Sequence, residues 1–172
     1  PGVDFRNLDL SQFNGQQKNA SNANFSGINL SGKRFHKGTF NGANFSNSDL
    51  TGGDSVEASY IGADFSDANL TGRNLSGANL TDANFTGAIL TRVWFSSSTI
   101  WPEGFDYLNS GAFGPGVDFR NLDLSQFDGL QKNASNANFS STHLHGKRFH
   151  KGTFNGANFK NAIMTAGDSS GA

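Results

Sequence analysis

The side chains in this 172-residue sequence with chemistry to offer are four histidines, two basic clusters, a pair of isolated carboxylates and many hydroxyls. Lys33, Arg34, His36 and Lys37 form one dense cluster, and Lys147, Arg148, His150 and Lys151 repeat it. Such a cluster suits an acidic protein surface, a polysaccharide or a lipid headgroup; the alternative is a solvated corner with no ligand. His143 and His145 flank Leu144 at a spacing that could hold a metal, but no acidic residue accompanies them and no metal ligand is assigned. Glu103 and Asp106 stand near Trp101 without a nucleophile elbow, a phosphate-cradling loop or an acid–base pair set apart from the pattern around them. No catalytic or cofactor-binding residue is therefore assigned, and enzyme activity is not expected. Ser11, Ser31, Thr51, Thr71 and Thr91 recur at every twentieth position. Stacked about 4.8 Å apart, as strands are, they would make a hydroxyl ladder of the kind that meets ice or a glycan.

The element that must position these groups is legible in residues 63–90, ADFSDANLTGRNLSGANLTDANFTGAIL. A bulky residue returns at every fifth position: Phe65, Leu70, Leu75, Leu80, Phe85, Leu90. Two places before it stands a small residue, usually alanine, with Asn or Asp between and Ser or Thr after. This period fits neither a helix stripe at 3.6 nor a long strand alternating at 2. The chain must turn a corner every five residues and bury one large and one small side chain per edge. The same pattern generates N-x-S/T at Asn19, Asn24, Asn29 and many later asparagines, so those matches carry almost no information about glycosylation.

The motif A-(D/N)-(L/F)-(S/T)-x resembles the signature of the pentapeptide-repeat family, and the likeness runs along nearly the whole chain. The segment W-P-E-G-F-D at 101–106 resembles the punctuation segments of family members of cyanobacterial type. The resemblance implies an all-β fold, a right-handed quadrilateral β-helix with about 20 residues per square coil. The sequence supports the coil length independently. Every twentieth residue gives one column of Phe5, Phe25, Phe45, Phe65 and Phe85 and another of Leu10, Leu30, Leu50, Leu70 and Leu90. A five-residue period alone would not sort phenylalanine from leucine; stacked coils would. The third face is irregular, with Gly15, Phe35, Ser55, Leu75 and Phe95 in the large slot and Phe13, Lys33, Gly53, Arg73 and Val93 in the small one. Phe13 is expected to fill the space left by Gly15. Lys33 and Arg73 are expected to turn outward, because a lone cation in a dry core is costly.

The sequence divides into five coils over 1–100, with Ile100 in the last bulky slot of the frame, a linker or loop at 101–116 and a second repeat block at 117–172. The second block nearly duplicates 1–58: residues 115–159 match 1–45 at 39 of 45 positions. Its core columns are expected to be Phe119, Phe139 and Phe159, and Leu124, Leu144 and Met164. Continuous stacking, with Phe119 above Phe85, is expected over two separate units.

Net charge is −1, so bulk attraction to nucleic acid or an anionic membrane is not expected. There is no cysteine to form a disulfide, and no apolar run approaches the roughly 20 residues of a spanning helix. Some relatives imitate DNA to bind gyrase or topoisomerase through a strongly negative rod. Here residues 1–114 carry ten acids against seven bases, and residues 115–172 four against six, too little charge for that role. Two functions remain. The chain is a structural solenoid that stacks end to end on copies of itself or belongs to a longer array, since neither end shows a cap. Alternatively it is a scaffold presenting a basic corner or the linker to a protein partner. Sequence assigns no compartment.

Overall fold

The computed structural model describes residues 2–121, 124–125 and 127–172. Its local unit is a four-residue turn. Ala68 N–H donates to Phe65 O at 3.0 Å, and Asp67 between them has φ +55°. A positive φ at the third residue is the type II requirement, which glycine, asparagine and aspartate meet most cheaply. From Gln17 to Arg92 such a residue recurs at every fifth position. The Asn or Asp before each inward side chain fixes the other half of the corner. Its Oδ1 accepts the N–H two residues on, as Asn69 does from Thr71 at 3.0 Å and Asn74 from Ser76 at 3.1 Å.

These corners bring residues twenty apart into parallel register. The bridges run Asp4, Asn24, Asn44, Asp64, Asn84 on the first face, Asn29, Asp49, Asn69, Ile89 on the second, and Arg34, Asp54, Asn74, Trp94 on the third. Between consecutive coils the backbone N–H of one donates to the carbonyl of the next, as Gly42 N does to Ile61 O at 2.8 Å. Inside, the phenylalanine rings stack nearly parallel. Phe5 to Phe25, Phe25 to Phe45, Phe45 to Phe65 and Phe65 to Phe85 are 4.5, 4.9, 5.2 and 5.1 Å between centroids. The leucine column is buried from Leu30 to Leu90. Each fully buried Phe or Leu contributes about 1.5–3 kcal/mol, which is how a chain poor in apolar residues holds its shape. Phe13 packs inside the first coil, its ring 5.5 Å from Phe5 and 5.7 Å from Phe25, but the space beside Gly15 is taken by the Phe35 and Phe40 rings of the next coil.

The frame breaks earlier than the sequence suggests. Asn79 bridges Ile100, twenty-one residues on instead of twenty. The extra residue is absorbed at Ser96–Thr99, where Thr99 Oγ1 accepts Ser96 N–H at 3.0 Å and donates to Leu75 O at 2.9 Å. Ile100 is thereby displaced from the interior and is 52% exposed, and Trp101 turns inward 5.9 Å from Phe85 and 5.8 Å from Phe95. The next turn compensates: Trp94 bridges Phe113, nineteen residues on. Residues 101–113 thus finish the core of the first block. Phe105 sits 5.3 Å from Phe85, the seat expected for Phe119, and Tyr107 at the head of a 3-10 turn, Tyr107–Asn109, stacks on Trp101 at 5.5 Å.

The second block has its own ladder, Asp118 to Asn138 to Asn158, with Phe119 to Phe139 and Phe139 to Phe159 at 4.3 and 4.9 Å. It meets the first block through side chains. Phe119 lies 5.1 Å from Phe113, and Phe127 lies 5.7 Å from Trp94. No backbone hydrogen bond between described residues joins 2–114 to 116–172. Met164, expected in the leucine column, is 43% exposed.

Candidate functional site

The basic clusters sit at corners of the third face, where the ladder brings charge partners from adjacent coils. Lys33 Nζ donates to Ser11 O, and Lys147 Nζ donates to Ser125 O in the same way. Lys37 pairs with Glu57 at 3.4 Å, and Arg148 pairs with Asp128. His150 Nδ1 lies 2.5 Å from Ser170 Oγ and 3.9 Å from Asp168. His36 Nδ1 is buried without a hydrogen-bond partner. Among the described residues, Arg34 and Lys151 are the Lys and Arg members of the two clusters with no ion pair or side-chain hydrogen bond. Each lysine of the 33/147 pair edges a groove on the second face, one of ≈400 Å³ beside Leu10 and Ile28 and one of ≈320 Å³ beside Leu124 and Thr142. The ladder expected of Ser11 through Thr91 is present in part: Ser31 Oγ and Thr51 Oγ1 are 2.8 Å apart, whereas Thr71 Oγ1 turns to Asn69 at 2.7 Å. His145 bonds Thr165 Oγ1 at 2.6 Å. Among the described residues no three His, Asp or Glu side chains gather as a metal site.

Arg73 corrects the expectation that it turns to water. It is 1% exposed, inside the third face. Nε donates to Ser55 Oγ at 2.7 Å, Nη1 to Leu50 O at 3.0 Å and Gly52 O at 3.2 Å, and Nη2 to Lys33 O at 3.2 Å. The guanidinium lies 4.5 Å above the Phe35 ring. The coil below makes room for it. At Phe13, Lys33, Arg73 and Val93 the N–H donates to the carbonyl three residues back, but Gly53 omits this bond and leaves Leu50 O to the arginine. Gly53 has φ +73°, and a Cβ there would stand 2.5 Å from Lys33 O, so only glycine fits. Ser55 Oγ also bonds the buried Tyr60 hydroxyl at 2.7 Å. Burial pushes the Tyr60 phenol up, with Arg73 opposing, and pushes the Arg73 guanidinium down. Sequence carried a signal for this cluster: Gly53 and Ser55 leave missing volume directly below an arginine.

The remaining site is the pair of coil ends. The two blocks open with the same residues in different surroundings. Val117 is 0% exposed, and Phe119 and Phe127, at 0% and 3%, lie against Phe113 and Trp94. Trp94 and Phe113 both occupy the position that holds Arg34, Asp54 and Asn74 lower on the same face. Lys132 completes the contact, its Nζ 5.3 Å from the Trp94 ring, and burial there holds its pKa below the usual lysine value. In the first block Val3 is 46% and Leu8 54% exposed, and Phe5, Leu10 and Phe13 are half-buried. At the far end, residues 163–172 are exposed throughout.

A sequence profile described as pentapeptide repeats matches eight copies, over residues 19–52, 63–101 and 133–166. Among solved structures, the chain is similar to alr5209, a pentapeptide repeat protein from Nostoc Pcc 7120, at 31% identity and a TM-score of 0.53, over 57% of this chain and 84% of that one. A pentapeptide repeat protein of the Arabidopsis thaliana thylakoid lumen is 30% identical with a TM-score of 0.51, over 63% of this chain and 69% of its own. HetL, involved in heterocyst differentiation regulation in Nostoc sp. strain PCC 7120, is 20% identical over 97% of this chain and 83% of its own, with a TM-score of 0.54, a likeness of fold alone. No curated relative matches the sequence.

Proposed function

Because the chain belongs to the pentapeptide-repeat family and shares its right-handed quadrilateral β-helix, we propose that it is a non-enzymatic structural solenoid whose open ends receive further coils, from copies of itself or from a longer repeat array. The observation that carries this reading is internal to the molecule. Val117, Phe119, Leu124 and Phe127 are buried, and their duplicates Val3, Phe5, Leu10 and Phe13 are not. An uncovered apolar edge with unpaired backbone groups favours association. The test is light scattering of the 172-residue chain over a hundredfold range of concentration. A mass that grows with concentration is expected, and Phe5→Asp should suppress the growth while Lys33→Glu leaves it. A constant monomer mass at every concentration overturns self-assembly.

A second reading, a protein-interaction scaffold, is favoured by Arg34 and Lys151, which among the described residues have no ion pair or side-chain hydrogen bond. It predicts that Arg34→Glu, and not Phe5→Asp, abolishes capture of an acidic protein partner. Nucleic acid and DNA mimicry fit poorly with the small net charge. Ice or glycan binding fits poorly with a hydroxyl ladder that is broken at Thr71, whose hydroxyl turns to Asn69. No helix among the described residues is long and apolar enough to cross a membrane.

A further inference from the structure

The cradle that holds Arg73 exists twice, and only one copy is filled. Gly53, Asp54 and Ser55 correspond to Gly167, Asp168 and Ser169, which carry the same residues one duplication later. The register around them is reproduced, although Gly53 has φ +73° and Gly167 lies outside the left-handed region. Phe35 N–H donates to Asp54 O at 2.6 Å, and Phe149 N–H to Asp168 O at 2.6 Å. Gly32 N–H donates to Thr51 O at 2.8 Å, and Gly146 N–H to Thr165 O at 2.8 Å. Arg34 bridges Asp54, and Arg148 bridges Asp168. A Cβ on Gly167 would strike Lys147 O, as one on Gly53 would strike Lys33 O. The turn bond that Gly53 omits is omitted again by Gly167, which leaves Met164 O unclaimed. The carbonyls of Lys147, Met164 and Ala166 and the hydroxyl of Ser169 accept no hydrogen bond from a described residue, and Phe149 corresponds to Phe35.

We propose that the C-terminal edge is a guanidinium site, filled by the arginine of a repeat coil that seats on it. The inference rests on the reading that this edge receives a coil, and it specifies which coil. A second copy docking in register through its first coil would offer Phe13, the residue sixty positions before Arg73 in the same column. Phe13 would leave the carbonyls without donors. The occupant is a coil built like residues 59–78, with an arginine in the small slot of the third face.

The experiment is fluorescence anisotropy of the full chain with two labelled peptides, one with the sequence of residues 59–80 and one in which Arg73→Gln is made. The arginine peptide should bind roughly tenfold or more tightly than the glutamine peptide, the step expected when charge-assisted bonds to three carbonyls and a hydroxyl are lost. Ser169→Trp in the chain, which fills the cradle at an exposed position, should abolish binding of the arginine peptide. Equal affinity of the two peptides, or binding that survives Ser169→Trp, overturns the arginine site while coil docking stands. Failure of both peptides to bind at millimolar concentration overturns coil docking at this edge and the site with it.

Discussion

Arg73 is a buried cation with no carboxylate beside it, satisfied by three carbonyls, one hydroxyl and an aromatic face. Removing it costs in proportion to what it leaves behind. Arg73→Met strands Leu50 O, Gly52 O and Lys33 O away from water, and an unsatisfied buried group costs about 1–3 kcal/mol. We expect a loss of about 3 kcal/mol or more in urea unfolding, against about 1 kcal/mol for Tyr60→Phe, which removes a single hydroxyl. Tyr60 adds a pH signature. Burial raises its pKa above the ordinary 10.0, so the folded state holds the phenol proton more tightly than the unfolded chain does. The stability this brings is complete below pH 10 and is lost as pH rises through the higher folded value. In unfolding series followed across pH 9–12, Tyr60→Phe should flatten the alkaline decline.

Corners are the elements of this fold, and their glycines separate into two kinds. Gly62 has φ +63° with nothing within 4 Å of the point a Cβ would occupy, so Gly62→Ala costs only the left-handed conformation, about 1–2 kcal/mol. Gly38 has an ordinary φ, but a Cβ there would stand 2.6 Å from Gly15 O. Gly38→Ala must push two coils apart, and thermal melts should show the larger loss for it. The corners, columns and coil length were legible in sequence because each repeats: Phe and Leu sort by twenties only if coils stack. Arg73 was misread although Gly53 and Ser55 left a visible gap below it, because three of its four acceptors are backbone carbonyls 21 to 40 residues away, to which composition is blind. Ile100 was misread for a different reason. Adding one residue at Ser96–Thr99 keeps an apolar residue in the old frame while the true inward position passes to Trp101. The covering role of Trp94 had a visible trace, an indole at a position otherwise given to polar side chains, but its partner Phe127 belongs to the other block.

At the scale of the molecule, the two blocks are joined by a small aromatic contact instead of a continuous ladder. Such a junction couples the blocks weakly compared with the coils inside each. Trp94→Asp should uncover Phe127 and Phe119, expose apolar surface to a hydrophobic dye and split urea unfolding into two transitions, with the second block melting first. A single unchanged transition would mean that the blocks are held together elsewhere. The charges at the third-face corners contribute little to this, because exposed ion pairs such as Lys37 with Glu57 are worth about 0–1 kcal/mol and weaken further with salt.

The open end also bears on how the molecule ages. Asparagine followed by glycine is the dipeptide most prone to deamidation, in which the glycine nitrogen attacks the asparagine side-chain carbonyl. The sequence holds it three times, at Asn14–Gly15, Asn41–Gly42 and Asn155–Gly156, of which the last two are duplicates of each other in different surroundings. Within the stack, Gly42 N–H is tied to Ile61 O at 2.8 Å, and Asn41 Oδ1 is clamped by Ser59 Oγ at 2.7 Å and Ile61 N–H at 3.1 Å. At the far end no described residue ties Gly156 N–H or the Asn155 side chain. On storage at mildly alkaline pH, peptide mapping should find isoaspartate accumulating at Asn155 well before Asn41, and a coil seated on that end should slow it.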